Sequence, residues 1–456
     1  MTIQITTEIR TVAVLVALIV VGGATAFLGL GQPTLTKPDV PVATALTSLD
    51  VHAVVGWGAC NKHERDQLYW LTIAKTLAPN ASRRADGFVW LGDAVYADDQ
   101  HAGAWAPASV AAMEAKYTAF RNSPHYATFR STLVAEPTGV WDDHDMGADG
   151  AGRDFELKEL TQQTYLDFLA VSPTSPRRHR EGVYHLHVVP FQSNLSLVSQ
   201  RFEFAACFVL LDARYHRDAP HADADMLGED QWAWLEQVLF DPSAELGTAA
   251  RDGVPGLFHR CAFTALGNGV QVLSDEKPTE HWGLYPRSRT RLLRLLARAQ
   301  AQRFIFLSGD VHYADYLRQP HTAFGGGLVE MTSSGLTHSL ADVGVTPAAF
   351  DLMNFSPRRA GRYIERSFGS IAITNDAAVV SVHDVRTGSI VLQHAVDLAQ
   401  SNSATPYEEI DVRLDVLAAP SKWLWWLLDG VPITISSRTR LRAIDLVAYA
   451  LCMLIS

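Results

Sequence analysis

The stretch from Arg303 to Tyr313, RFIFLSGDVHY, reads as a short buried strand that breaks at Ser308-Gly309 and projects an aspartate and a histidine. Side chains two positions apart on an extended segment point the same way, so Asp310 and His312 can reach one small object together. An isolated Asp-x-His is better explained by a capped turn and a hydrogen-bonded histidine. Here, however, the same construction occurs three more times. GFVWL (Gly87–Leu91) runs into Gly92, Asp93 and Tyr96, TGVW (Thr138–Trp141) into Asp142, Asp143 and His144, and HAVVGW (His52–Trp57) into Cys60 and Asn61. In open α/β sheets, ligands sit beyond the carboxyl ends of the strands. Four apolar runs that end in Asp, His, Tyr or Cys therefore predict an α/β fold with a single site at those ends.

Electrostatics narrows the chemistry. Asp93, Asp143 and Asp310 crowded into a partly dry crevice cannot all ionise without a counter-charge, so either their pKa values rise or cations bind. Histidines alone are a poor counter-charge, and metal ions are the simplest answer. Oxygen-rich donors with an imidazole and a thiolate suit iron, zinc, manganese or calcium better than copper. A carboxylate that bridges two ions makes a two-metal site, the usual equipment for in-line displacement at phosphorus.

The ordered motifs GACN, WLGDAVYAD, WDDHD, LDARYHRD, LGEDQWAWL, FLSGDVHYAD and EMTSSGLTHS resemble the PhoD-type alkaline phosphatases of the calcineurin-like metallophosphoesterase superfamily, over about residues 50 to 395. The resemblance implies a four-layer αββα sandwich, two mixed sheets flanked by helices, with a binuclear metal centre at the strand ends. Carried over by motif, Asp93 bridges the two ions, and Cys60, Tyr96 and His312 complete the set around a ferric-type ion. Asp310 and Asp143 bind the second ion, and His144 protonates the leaving oxygen. The implied activity is hydrolysis of phosphate mono- or diesters by a metal-activated hydroxide. Two departures from the pattern stand out. Ala59 precedes Cys60 where many relatives carry serine, and WDDHD continues through Met146 and Gly147 to Asp149, which stands where an amide ligand of the second ion is expected.

A net charge of −11 and the lack of any basic run argue against a nucleic-acid surface. An anionic phosphate ester must then be held by local metal charge. Residues 1–31 include the uncharged run Thr11–Gly31, a signal peptide or a transmembrane anchor. Residues 32–47, with three prolines, read as a linker, and 48–400 as the catalytic domain. Residues 401–456 are an apolar tail that reads as an interfacial helix with Trp423, Trp425 and Trp426 at the headgroup level, as a lipid-anchor signal, or as a helix packed on the domain. The expectation is entry into the secretory route, membrane-anchored or secreted, with a non-cytoplasmic catalytic domain and sequons at Asn80, Asn194 and Asn354.

Helical spacing predicts helices over Glu64–Lys75, Pro107–Arg121, Pro124–Thr132, Leu157–Leu169, Leu227–Phe240 and Pro286–Ala301. A hairpin is expected from Val183–Val189 and Gln200–Phe204, and a closing antiparallel meander from Phe368, Ala377 and Ser389 onward. Arg214 either forks onto substrate phosphate or pairs with Asp212. His338, in a polar loop, is a substrate contact or an ordinary loop histidine. Cys207 and Cys261 read as buried thiols in preference to a disulfide. The rival from another class is a membrane-tethered, catalytically inactive binding or scaffold protein. Loss of Asp93, Asp310 or His144 would favour it, and all three are present. A serine hydrolase is disfavoured because the sequence has no G-x-S-x-G elbow.

Overall fold

The computed structural model describes residues 51–399, apart from 80–82, 102–103, 193–196, 222, 248–255, 276, 278 and 355. In chain order the strands are β1 (Ala53–Gly58), β2 (Gly87–Leu91), β3 (Asp99–His101), β4 (Ala104–Ala106), β5 (Thr138–Val140), β6 (His185–Val189), β7 (Phe204–Leu210), β8 (Cys261–Gly267), β9 (Phe304–Ser308), β10 (Ala314–Gln319), β11 (Leu328–Ser333), β12 (Arg359–Tyr363), β13 (Ser367–Ile373), β14 (Ala377–Asp384) and β15 (Ile390–Asp397). One sheet has the order β15-β14-β13-β1-β2-β5 and a second β12-β10-β11-β9-β8-β7-β6. Both are mixed. In the first, β1, β2 and β5 are parallel while β13, β14 and β15 form the expected antiparallel meander. In the second, β7, β8, β9 and β11 are parallel, with antiparallel β6, β10 and β12 at the edges.

Alternation along the strands builds the layers. In β9, Ile305 and Leu307 join the core shared with Trp57, Val89 and Leu91 of the first sheet. Phe306, between them, faces the other way, toward Trp232 and Leu235 of helix Glu229–Phe240 and Leu292 and Leu296 of helix Pro286–Arg298. Helices also cover the far face of the first sheet. Trp70, on helix Tyr69–Leu77, stacks on Phe129 at 4.7 Å and meets Trp90 edge-on at 5.6 Å, an arrangement that adds to plain area burial. Two mixed sheets packed between helices are the αββα sandwich.

Several local expectations shift. Pro107 lies outside its helix, which runs Val110–Arg121 and starts where the Ser109 side chain accepts from the Ala112 amide at 3.2 Å. The helix expected from Glu64 begins at Tyr69. Gln67 explains the delay, because its amide nitrogen donates to Asn61 Oδ1 and to the carbonyls of Lys62 and Arg65, holding those residues in a turn. β6 does pair with the next strand in an antiparallel hairpin, but its partner is Phe204–Leu210, and Leu197–Arg201 is helical. Cys207 and Cys261, on neighbouring strands, are joined in a disulfide, which corrects the reading of both as free thiols. Both terminal apolar segments, Asn80 and Asn194 lie outside the described residues. Among the described residues no helix is long and apolar enough to cross a membrane.

Candidate metal centre

The ends of β1, β2, β5 and β9 converge, and the backbone there is unusual. Seven described non-glycine residues have φ between 50° and 69°, and four of them are Cys60, Asp93, Asp310 and His312. A left-handed conformation costs an L-residue roughly 1–2 kcal/mol, and such outliers cluster at functional sites. Hydrogen bonds hold them in place. The Cys60 amide donates to the Gly92 carbonyl at 3.3 Å, Asn61 to the Asp93 carbonyl at 2.7 Å, and His312 to Ser334 Oγ at 2.9 Å. Gly92, with φ of 95°, lets the end of β2 approach β5, since a Cβ there would lie 2.5 Å from Cβ of Asp142.

One half of the site gathers Cys60, Asp93, Tyr96 and His312. Cys60 Sγ donates to Asp93 Oδ2 at 3.5 Å, and Asp93 Oδ1 is buried with no hydrogen-bond partner among the described residues. The phenolic oxygen of Tyr96 is 2.9 Å from Nε2 of His312. Burial, then the charge of Asp93, holds the Cys60 thiol well above its ordinary range. Burial also pushes the Tyr96 phenol up, with Cys60 and Asp93 adding to it. The Asp93 carboxyl is likewise raised by burial and by Asp143, against the pull of His144. Three acids that resist ionisation beside an orphaned carboxylate oxygen fit a cation, which would supply the missing charge and take up that oxygen.

Asp143 and His144 form the other half, at the start of the short helix Asp143–Met146. Asp93, Asp143 and His144 are buried, and each offers a ligand-type atom within 4.8 Å of the others. Burial would lift Asp143, but Arg214, His144 and a 2.6 Å bond from the Gly150 amide hold it well below the usual carboxylate range. His144 Nδ1 donates to Asp98 Oδ1 at 2.7 Å, and Asp98 Oδ2 also accepts from the Asp149 amide at 2.9 Å. Burial would lower the His144 imidazole, yet Asp143, Asp93 and Asp98 push it up to about 10. Buried Asp145 accepts from the amides of Ala94 and Val95 at 3.2 and 3.1 Å and from the Tyr117 hydroxyl at 2.6 Å, which clamps the loop carrying Asp93 and Tyr96.

Asp310 stands apart from that tight group and faces Lys277, whose Nζ is 3.7 Å away. Burial pushes Asp310 up to about 6, and Lys277 opposes the rise. Arg214 corrects a pairing expectation. Its guanidinium is fully buried, with Nε donating to Asp142 Oδ1 and Nη1 to Glu280 Oε2 at 2.6 Å. Asp212 holds the Arg214 backbone amide instead, at 2.8 Å. Arg214 therefore sits against the carboxylates as their counter-charge, and its buried Nη2, 3.6 Å from Asp143 Oδ1, has no hydrogen-bond partner among the described residues.

Sequence reasoning gave no role to Asp98, Asp145, Lys277 or Glu280. Asp98 lies within the conspicuous WLGDAVYAD segment, two residues after Tyr96, and an acid so close to a strand-end site is a signal. Lys277 and Glu280 carry none, because only the tertiary fold brings that loop to the site.

Two mixed sheets between helices, with Asp, His, Tyr and Cys converging at the strand ends, define the metallophosphoesterase class. Within it, the chain belongs to the PhoD-like phosphatase family, whose pattern matches residues 55–383, and it is a phosphoesterase by that membership. It is similar to a solved structure described as the structure of PhoD, at 15% identity and a TM-score of 0.55, covering 79% of this chain and 73% of that one. It also aligns with a purple acid phosphatase from yellow lupin (Lupinus luteus) seeds, at 12% identity and a TM-score of 0.48, over 78% of this chain and 56% of that one. No curated protein matches the chain.

Proposed function

We propose that the chain hydrolyses phosphate esters at a two-ion centre in which Asp93 bridges, Cys60, Tyr96 and His312 hold one ion, and Asp143 and Asp310 hold the other. The donor set suits iron for the first ion and iron, calcium, zinc or manganese for the second. Bound there, the ions would supply a nucleophile at neutral pH and neutralise the phosphate oxygens. Everything else falls to the chain. Asp98 fixes the His144 ring by its Nδ1, which leaves Nε2 to give a proton to the departing oxygen. Arg214, between Asp142 and Glu280, limits the repulsion that crowded carboxylates would otherwise build. Asp145 keeps the Asp93 loop in register with the helix that carries His144.

Asp93 carries this reading: it has a left-handed backbone, one oxygen against Cys60 and the other unsatisfied, beside Asp143 and His144. The test is metal analysis of purified protein beside Asp93→Ala. Two ions per chain in the native protein and fewer than one in the variant are expected; equal content would remove Asp93 from the site.

We also infer a membrane-bound or secreted protein with the catalytic domain, 48–400, outside the cytoplasm. The uncharged run Thr11–Gly31 supports this, as does a Cys207–Cys261 disulfide of the kind that persists in oxidising compartments. Carbonate extraction and glycosidase treatment of the full-length protein decide it. Protein that stays with the cytoplasmic fraction, washes free of membranes and carries no glycan contradicts it.

A further inference from the structure

His338 closes the loop Ser334-Gly335-Leu336-Thr337 that follows β11. Its Nε2 lies 3.0 Å from the Tyr96 phenolic oxygen and 3.1 Å from His312 Nε2, while the Tyr96 oxygen and His312 Nε2 are 2.9 Å apart. Three ligand-type atoms thus form a triangle with nearly equal edges.

Thr337 Oγ1 accepts from the Lys62 amide at 2.8 Å and lies 3.1 Å from His338 Nδ1 and 3.4 Å from the Cys60 carbonyl. An imidazole that donates from Nδ1 to that oxygen turns a bare Nε2 lone pair into the triangle, where Tyr96 and His312 also present ligand-type atoms. A cation held there would meet all three. Nitrogen and oxygen ligands bind borderline metals at about 2.0–2.2 Å, which puts neighbouring ligands at right angles about 2.8–3.1 Å apart, matching the edges seen here. The Thr337 contact is also the usual support of a ligating imidazole, whose second nitrogen donates to an oxygen.

The loop is shaped to bring this ring in. Gly335 has φ of 87°, and a Cβ there would lie 2.3 Å from the His338 carbonyl oxygen and 3.4 Å from Cα of His312. The amides of Gly335 and Leu336 both donate to the Ala59 carbonyl at 3.2 Å, and Ser334 Oγ donates to Cys60 Sγ at 3.1 Å. The same loop thus grips the residues on either side of the site.

We propose that His338 is a ligand, through Nε2, of the ion that Tyr96 and His312 hold. This rests on the reading that those two residues bind an ion. The test compares full-length wild-type protein with His338→Ala and His312→Ala, reading ion content, ion affinity and, for the ferric form, the phenolate charge-transfer band. Both variants are expected to weaken the ion by about tenfold to a hundredfold or more, and His338→Ala is expected to shift the band. If His312→Ala loses the ion while His338→Ala keeps native affinity and an unmoved band, His338 is not a ligand and the site reading survives. If wild-type protein binds no ion at Tyr96, both fall. A readout on the unmutated protein covers poor folding of the variants. Cobalt-loaded wild type should show two strongly shifted imidazole N–H resonances from this ion, and only one would overturn the proposal.

Discussion

His144 donates from Nδ1 to Asp98 Oδ1 across 2.7 Å, and both side chains are buried. The bond selects the tautomer and the ring orientation, because a carboxylate can only accept. Asp98→Asn is expected to lower turnover of alkyl phosphate esters within the range of about 10²–10⁴ that general-acid help supplies, with little loss on esters of acidic phenols. His144→Asn should show the same split. Steady-state rates on a matched aryl and alkyl pair check it, and equal loss on both would remove the acid role.

Asp145 is a structural hub whose carboxylate accepts from Ala94, Val95, Tyr117 and Asp142. In Asp145→Asn an amide N–H would face donors it cannot satisfy. Chemical denaturation should show a loss of about 1.5–3 kcal/mol, together with weaker metal retention, because the Asp93 loop is what Asp145 clamps. A stability within error of wild type would show that the clamp is dispensable.

Cys60→Ser replaces a soft donor with a harder and less acidic one. With a ferric ion, the expected result is weaker ion retention and loss of any sulfur-to-metal component of the visible spectrum. Unchanged spectrum, ion content and activity would make Cys60 a buried thiol only.

His383 offers a pH test remote from the metal centre. It is buried, with Nδ1 donating to the Gly388 carbonyl at 2.9 Å and Nε2 2.8 Å from Ser370 Oγ, and burial pushes it down to about 4. The unfolded chain, with an ordinary value near 6.5, takes up the proton first. Stability from this residue is therefore full above about pH 6.5 and is lost as pH falls toward 4, by roughly 3 kcal/mol in all. His383→Gln should flatten that part of the stability profile in denaturant melts at pH 4 to 7. A profile identical to wild type would contradict the assignment.

The strand ends are legible because strand and donor are contiguous: a short, mostly apolar run leads directly to Asp93, Asp143 or Asp310. The backbone strain is not part of that pattern, since Asp93 and Asp310 turn through left-handed φ while Asp143 opens a helix. What remained hidden depends on distant segments. Lys277 reaches Asp310, and Glu280 reaches Arg214, across long stretches of sequence, and nothing local to either marks it. For Arg214 the sequence fits a phosphate and an Asp212 partner equally well, because a strand-end arginine beside an aspartate looks the same whether it faces solvent or the back of a carboxylate cluster. Pro107 misled through a sound rule applied one turn early, as Ser109 makes the cap. His338 stayed ambiguous because a loop histidine shows its purpose only when Tyr96 and His312 stand against it.

Metal-dependent phosphoester hydrolysis at this centre is tested most directly by removing and restoring the metal. Full-length protein stripped by a chelator and dialysed is expected to lose turnover of phosphate esters and to regain it on adding back iron with calcium, zinc or manganese. Asp93→Ala, treated identically, should not recover. Undiminished turnover in protein verified to be metal-free, or full recovery by Asp93→Ala, would contradict the account.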